Sequence, residues 1–209
     1  MFLSKIDMTK TLFRTKWLSL KSIKTSEYEY IYSHETRCNG KIIAILPYQI
    51  TPQGIQFLVR NEITPAWGKK LKIRCAITGG VKYLKSQSAY TQAELTAIDE
   101  LKEETGYTIN KEELINLSTS CGTKSTDTIY YLYSVNLSNK LPGEITTNDP
   151  LEKLATNQWI TENIIKYILD PLVSLMYIRL LSNIKRPINI EKWDPSIVNY
   201  IETRDISEE

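Results

Sequence analysis

The sequence predicts an α/β protein in which a mixed sheet lies between helices and follows an N-terminal pair of strands. Three observations carry that expectation. Apolar and aromatic residues alternate with polar ones from Lys16 to His34, and strand-like runs return from Lys41 to Arg60. The run Asp99-Glu100-Leu101-Lys102-Glu103-Glu104-Thr105 has helical spacing and stops at Gly106. Asp170-Pro171 opens a second helical pattern through Leu172, Leu175, Met176, Ile178, Arg179 and Leu181, with the proline in the first turn, where its missing N–H costs nothing.

The elements follow in order. Lys16 to His34 reads as a hairpin, with Trp17, Leu18, Leu20 and Ile23 on one strand and Tyr28, Tyr30 and Tyr32 on the other. Lys41 to Gln49 is a core strand, Thr51-Pro52-Gln53-Gly54 a turn, and Ile55 to Arg60 the returning strand. Ile73 to Thr78 is a short apolar strand that ends in Gly79-Gly80. A helix from about Gln92 to Glu104 precedes strands Ile115 to Ser120 and Thr128 to Leu137. Leu141 to Glu152 is an acidic loop, Gln158-Trp159-Ile160 a short strand, and Glu162 to Leu169 a helix ahead of the terminal one. The tail from Arg186, with Trp193-Asp194-Pro195, reads as a short terminal helix.

A chain of 209 residues with 42% hydrophobic content supplies one ordinary core. Its net charge of +2 comes from evenly mixed signs, which gives no electrostatic reason to expect nucleic acid. Lys69, Lys70, Lys72 and Arg74 form the densest basic cluster, either a solvated loop and strand edge or a rim that attracts phosphate. No apolar run approaches the ~20 residues of a membrane span, and the opening MFLSKIDMTK lacks a signal-peptide core, so a soluble cytoplasmic protein without a membrane partner is expected. Cys38, Cys75 and Cys121 are odd in number and widely spaced, which suits a reducing compartment and argues against structural zinc. His34, the one histidine, has no ligand cluster around it in sequence.

The chemistry lies in the acidic helix. Glu100, Glu103 and Glu104 stand at i, i+3 and i+4 and project within an arc of roughly 100°. Like charges so close repel and raise one another's pKa, so they call for a cation, and a hard divalent metal prefers carboxylate oxygen. Such a helix is otherwise a solvated face. The glycine pair ahead of it lets backbone carbonyls approach a ligand with no side chain in the way.

Strand, glycine loop and carboxylate helix together resemble the Nudix hydrolases, whose box runs G-x5-E-x7-R-E-U-x-E-E-x-G-U. Gly80 fits the leading glycine, and Glu100, Leu101, Glu103, Glu104, Gly106 and Tyr107 fit the second half position by position. The first half departs: Thr91 stands at the first glutamate, Val81 to Tyr90 carries an insertion, and Asp99 replaces the arginine that helps orient the carboxylates in the family. Asp99 therefore needs a basic partner from elsewhere, demands more metal, or marks weakened chemistry. The chain is most similar to the ADP-ribose pyrophosphatase branch, through its N-terminal strands, its AILPYQ strand, Ser120-Cys121-Gly122 and the closing helix.

The resemblance implies an α/β/α Nudix sandwich over 41–185, N-terminal strands over 1–40 that serve base binding and a homodimer, and a tail over 186–209. It implies a hydrolase that cleaves the pyrophosphate of a nucleoside diphosphate linked to another group, such as ADP-ribose or a nucleotide sugar. Magnesium, or manganese, would be held by Glu100, Glu103, Glu104 and the backbone carbonyl of Gly79, and would lower the pKa of a bound water. Glu103 and Glu104 are the expected catalytic carboxylates, and Glu152 the expected general base, with Asp149 behind it. Expected substrate contacts are Trp17, Tyr28 and Tyr30 on the base, Arg60 on a phosphate, and Asp127 in the segment after Gly122. The rings are equally consistent with packing between strands. A catalytically degenerate Nudix domain that senses a nucleotide or ADP-ribose is the alternative, motivated by Asp99 and Thr91.

Overall fold

The structure is a computed structural model that describes residues 8–67, 72–84, 87–147, 150 and 152–185. Two sheets are present among these residues. The smaller contains β1 (Met8–Arg14), β2 (Leu18–Lys24) and β3 (Glu29–Glu35) in antiparallel order. The expected pair of N-terminal strands is thus a triplet. A register shift between Thr11 and Phe13 interrupts the alternation of β1, which hides it from a period-two reading.

The larger sheet is organised on β4 (Lys41–Thr51). It pairs in parallel with β9 (Ile129–Asn136), antiparallel with β5 (Gly54–Ile63) at its C-terminal end, and antiparallel with β7 (Ile77–Gly80) at its start. The path runs β10-β5-β4-β9-β8, where β10 is Thr156–Thr161 and β8 is Ile115–Cys121, and β6 (Lys72–Cys75) joins the far end of β5. Asp170 interrupts the expected strand over 73–80, because its carboxylate accepts the Ala76 N–H at 2.8 Å between β6 and β7.

Both faces of β4 are covered, so its sequence is a continuous apolar run. Ile43 and Ile45 face α1 (Ala89–Thr105) through Ala93, Ala97 and Leu101. Ala44 and Leu46 face α3 (Pro171–Lys185) through Val173, Met176 and Leu180. The helix expected over 162–169 is shorter, α2 (Glu162–Ile165), and α1 begins three residues ahead of Gln92. This is the mixed sheet between helices that the sequence predicts. The tail from Arg186 lies outside the described residues. Among those residues no helix is long and apolar enough to cross a membrane.

The small sheet is tied to the larger one through β3. The Ser33 N–H donates to the Ser125 carbonyl at 2.8 Å, the Asp127 N–H donates to the Ser33 carbonyl at 3.2 Å, and His34 Nδ1 lies 2.8 Å from an Asp127 carboxylate oxygen. Asp127 thereby joins the two sheets.

Candidate functional site

Both ends of α1 are fixed. Ser88 accepts the Thr91 N–H on its hydroxyl at 3.2 Å. At the other end Gly106 takes φ 78° and its N–H donates to the Lys102 carbonyl at 2.9 Å, the left-handed cap that the sequence predicts. A side chain at Gly106 would run into the backbone of Gly143. The Gly143 N–H donates to the Gly106 carbonyl at 2.9 Å and the Thr146 N–H donates to the Glu103 carbonyl at 3.1 Å, so the acidic loop is bonded to the last turn of the helix.

That last turn divides its carboxylates. Glu104 points inward and is 4% exposed, beside Arg60 of β5 at 2%. Arg60 Nε lies 3.1 Å from Glu104 Oε2, facing it as a charge without a well-aligned hydrogen bond. The guanidinium also donates to the Glu104 carbonyl at 2.9 Å and to the Glu152 carbonyl at 3.3 Å. Burial pushes the Glu104 carboxyl up to about 8; Arg60 opposes the rise, while Glu100, Glu152 and Glu62 add to it.

Glu100 is half-buried and packs on the backbone of Gly79, where a Cβ would overlap its carboxylate. Burial raises it to about 7, against the pull of Lys82 and with the push of Glu103, Glu152 and Asp99. Glu103 is exposed, 3.7 Å from Lys82 Nζ, which also lies 3.5 Å from Asp99. Asp99 therefore has its basic partner, from the inserted segment after Gly80. Glu152 accepts a hydrogen bond from the Thr147 hydroxyl, and its charge is felt at Glu100 and Glu104. Asp149 lies outside the described residues.

The structure brings Gly79, Glu100, Glu104, Arg60 and Glu152 together at one end of α1. Arg60 lies inside β5, not at its end, and it donates to the Glu104 and Glu152 carbonyls. Gly79 and Gly80 close β7 in register with Ile43 and Ile42, so they are strand residues rather than a loop. Among the described residues no three His, Cys, Asp or Glu side chains are placed to hold a metal ion; of the expected metal set, Gly79, Glu100 and Glu104 lie together and Glu103 is exposed beside Lys82.

Three of the expected substrate contacts belong to the N-terminal sheet and its turns, and Asp127 to the segment that meets it. Trp17 stands in the turn before β2, with Lys16 and Arg37 each 4.5 Å from its ring centre. Tyr28 precedes β3, and its carbonyl accepts the Thr25 N–H at 2.9 Å. Tyr30 donates its hydroxyl to the Lys124 carbonyl, and its ring centre lies 6.5 Å from that of Tyr32. Asp127 is engaged with His34. Sequence reasoning missed Lys82, Glu62 and Asn157, whose side-chain amide donates to the Glu104 carbonyl at 2.9 Å. Only Lys82 carries a signal, as the first cation after the glycine pair.

No protein-family model matches the sequence, and no curated protein matches it. Solved structures do. A structure described as an ADP compounds hydrolase is 16% identical with a TM-score of 0.59, covering 88% of this chain and 96% of that one. The NUDIX domain of Shewanella oneidensis NrtR, complexed with ADP ribose, is 13% identical with a TM-score of 0.50, covering 67% and 87%. At these identities the likeness defines the architecture: the chain has the Nudix fold.

Proposed function

We propose that the chain is a Nudix hydrolase acting on a nucleoside diphosphate linked to another group, with ADP-ribose or a nucleotide sugar as the substrate. The observation that supports this reading is the pair Glu100 and Glu104, two sequestered carboxylates at the end of α1 whose pKa values are raised into the neutral range. Water would attack one phosphorus of the pyrophosphate, its proton passing to a carboxylate, while the bond from that phosphorus to the bridging oxygen breaks. For ADP-ribose the products are AMP and ribose 5-phosphate. Glu100, Glu104 and Glu152 are the candidate proton acceptors, and Arg60 holds Glu104 and the Glu152 backbone in place.

Magnesium or manganese belongs to this proposal as a requirement to be measured, since Lys82 and Arg60 engage two of the expected ligands. The likeness to a domain complexed with ADP ribose supports a nucleotide-type ligand. A homodimer built on residues 1–40 is part of the same reading. It is supported by Phe13, Leu18, Leu20 and Ile31, large apolar residues that are exposed on the N-terminal sheet.

The second reading, a domain that binds a nucleotide without hydrolysing it, is favoured by the contacts of Asp99 and Glu103 with Lys82, which partly offset their charge. One experiment separates the two. Purified protein is incubated with ADP-ribose, nucleotide sugars and capped RNA, with and without magnesium, and products are identified. Release of AMP from ADP-ribose that Glu104→Gln abolishes supports the hydrolase. Tight nucleotide binding with no turnover of any substrate favours the sensor.

A further inference from the structure

A cavity of about 910 Å³ lies between the N-terminal sheet and the start of the inserted segment, and its wall carries one sign of charge. Arg14, Lys21, Arg37, Lys41 and Lys82 line it, and no aspartate or glutamate does among the described residues. The sheet builds one side of this wall by register: Arg14 of β1 and His34 of β3 stand opposite Ser19, while Lys21 follows two residues along β2 on the same face. Arg37 and Lys82 already have acidic neighbours in Glu35, Asp99 and Glu103. Arg14 and Lys21 have no ion pair among the described residues.

A second observation is independent of charge. Ser19 lines the same cavity, is 1% exposed, and its hydroxyl has no hydrogen-bond partner among the described residues. A buried hydroxyl without a partner costs free energy, and an acceptor oxygen arriving in the cavity would satisfy it. The volume falls in the range of small-molecule sites, roughly 300–1,000 Å³, far above what a lone phosphate needs. Gly80 also lines the cavity, and it is the neighbour of the glycine on which Glu100 packs.

We propose that this cavity binds the phosphate groups of a nucleotide-sized ligand, with Arg14 and Lys21 as its uncompensated cations and the Ser19 hydroxyl as donor. The inference rests on the hydrolase reading for the position of the ligand beside α1, and it adds the residues that would receive the anion. Two cations without an ion pair among the described residues match the charge of a diphosphate.

The test uses the full chain and three probes in isothermal titration at low salt: ADP, inorganic pyrophosphate and adenosine. ADP and pyrophosphate are expected to bind, with adenosine at least about tenfold weaker, and Arg14→Glu/Lys21→Glu is expected to weaken ADP by about tenfold or more. Arg14→Ser/Lys21→Ser, which reverses no charge, should show the same direction, with unchanged circular dichroism in both. Equal ADP affinity in wild type and in both folded double variants overturns the site, as does adenosine binding as tightly as ADP, or pyrophosphate failing to bind. Glu104→Gln distinguishes the two proposals. Loss of ADP-ribose turnover with ADP affinity kept supports the hydrolase whatever the double variants do, and loss of ADP affinity in the double variants supports the cavity even when Glu104→Gln turns over normally.

Discussion

Arg60 and Glu104 oppose each other inside the protein, with Nε 3.1 Å from Oε2 and both side chains almost sealed from water. The pair joins the central sheet to the last turn of α1, the point at which the candidate carboxylates meet. Arg60→Met removes the counter-charge and strands the Glu104 and Glu152 carbonyls that it caps. Urea denaturation at about pH 9.5, where Glu104 is ionised, is expected to show a loss of about 3 kcal/mol, the cost of breaking a buried pair. A change below about 0.5 kcal/mol would mean the pair contributes no more than an exposed one.

The same burial sets a pH dependence. Glu104 and Glu100 titrate near 8 and 7 in the folded chain, against an ordinary value of 4.5. Between 4.5 and those values the folded state binds more protons than the unfolded one, so stability falls as pH rises through this window. Melting temperature without divalent cations is expected to be lower at pH 9 than at pH 5.5 through these two groups, and Glu104→Gln should flatten the difference. A slope unchanged by that substitution would place the titrating group elsewhere.

Lys82 acts on charge more than on stability. Its contacts with Asp99 and Glu103 are half open to solvent, so Lys82→Met should cost within about 1 kcal/mol. Lys82 also holds the Glu100 carboxyl down, so its loss should move the acidic limb of a pH–rate profile upward. An unmoved profile would separate Glu100 from the rate.

Gly79→Ala places a methyl group where the Glu100 carboxylate lies. Glu100 must move away, and turnover of ADP-ribose should fall to the level of Glu100→Gln while circular dichroism is retained. Wild-type turnover in this variant would show that the close packing of Glu100 on the strand is dispensable.

What could be read ahead of the structure was local. Glu100, Glu103, Glu104 and Gly106 fall within one turn and a cap, so spacing alone placed them on a helix with a left-handed end. Lys41 to Gln49 was equally plain as a core strand, because its consecutive apolar residues, Ile43 to Leu46 among them, serve two cores. The contact of Arg60 with Glu104 was not legible, because the two are 44 residues apart and no local pattern reports a contact that only sheet register creates. β1 escaped notice for the opposite reason: a single bulge broke the period that announces a strand. Trp17 looked like a strand residue by alternation, yet the Thr15 hydroxyl accepts both its N–H, at 3.1 Å, and that of Leu18, at 2.9 Å, and makes a turn there.

The position of β4 bears on how the protein can be made. Its partners are β5, β7 and β9, so an early segment of the chain gains its last neighbour only when Asn136 has emerged. Until then a strand that is apolar on both faces has one open edge, and neither α1 nor α3 can settle on a finished surface. Folding of this sheet must wait on a long loop closure, which makes it slow relative to helical proteins of similar size. The same delay exposes Ile43 to Leu46 during synthesis, when aggregation competes most directly with folding.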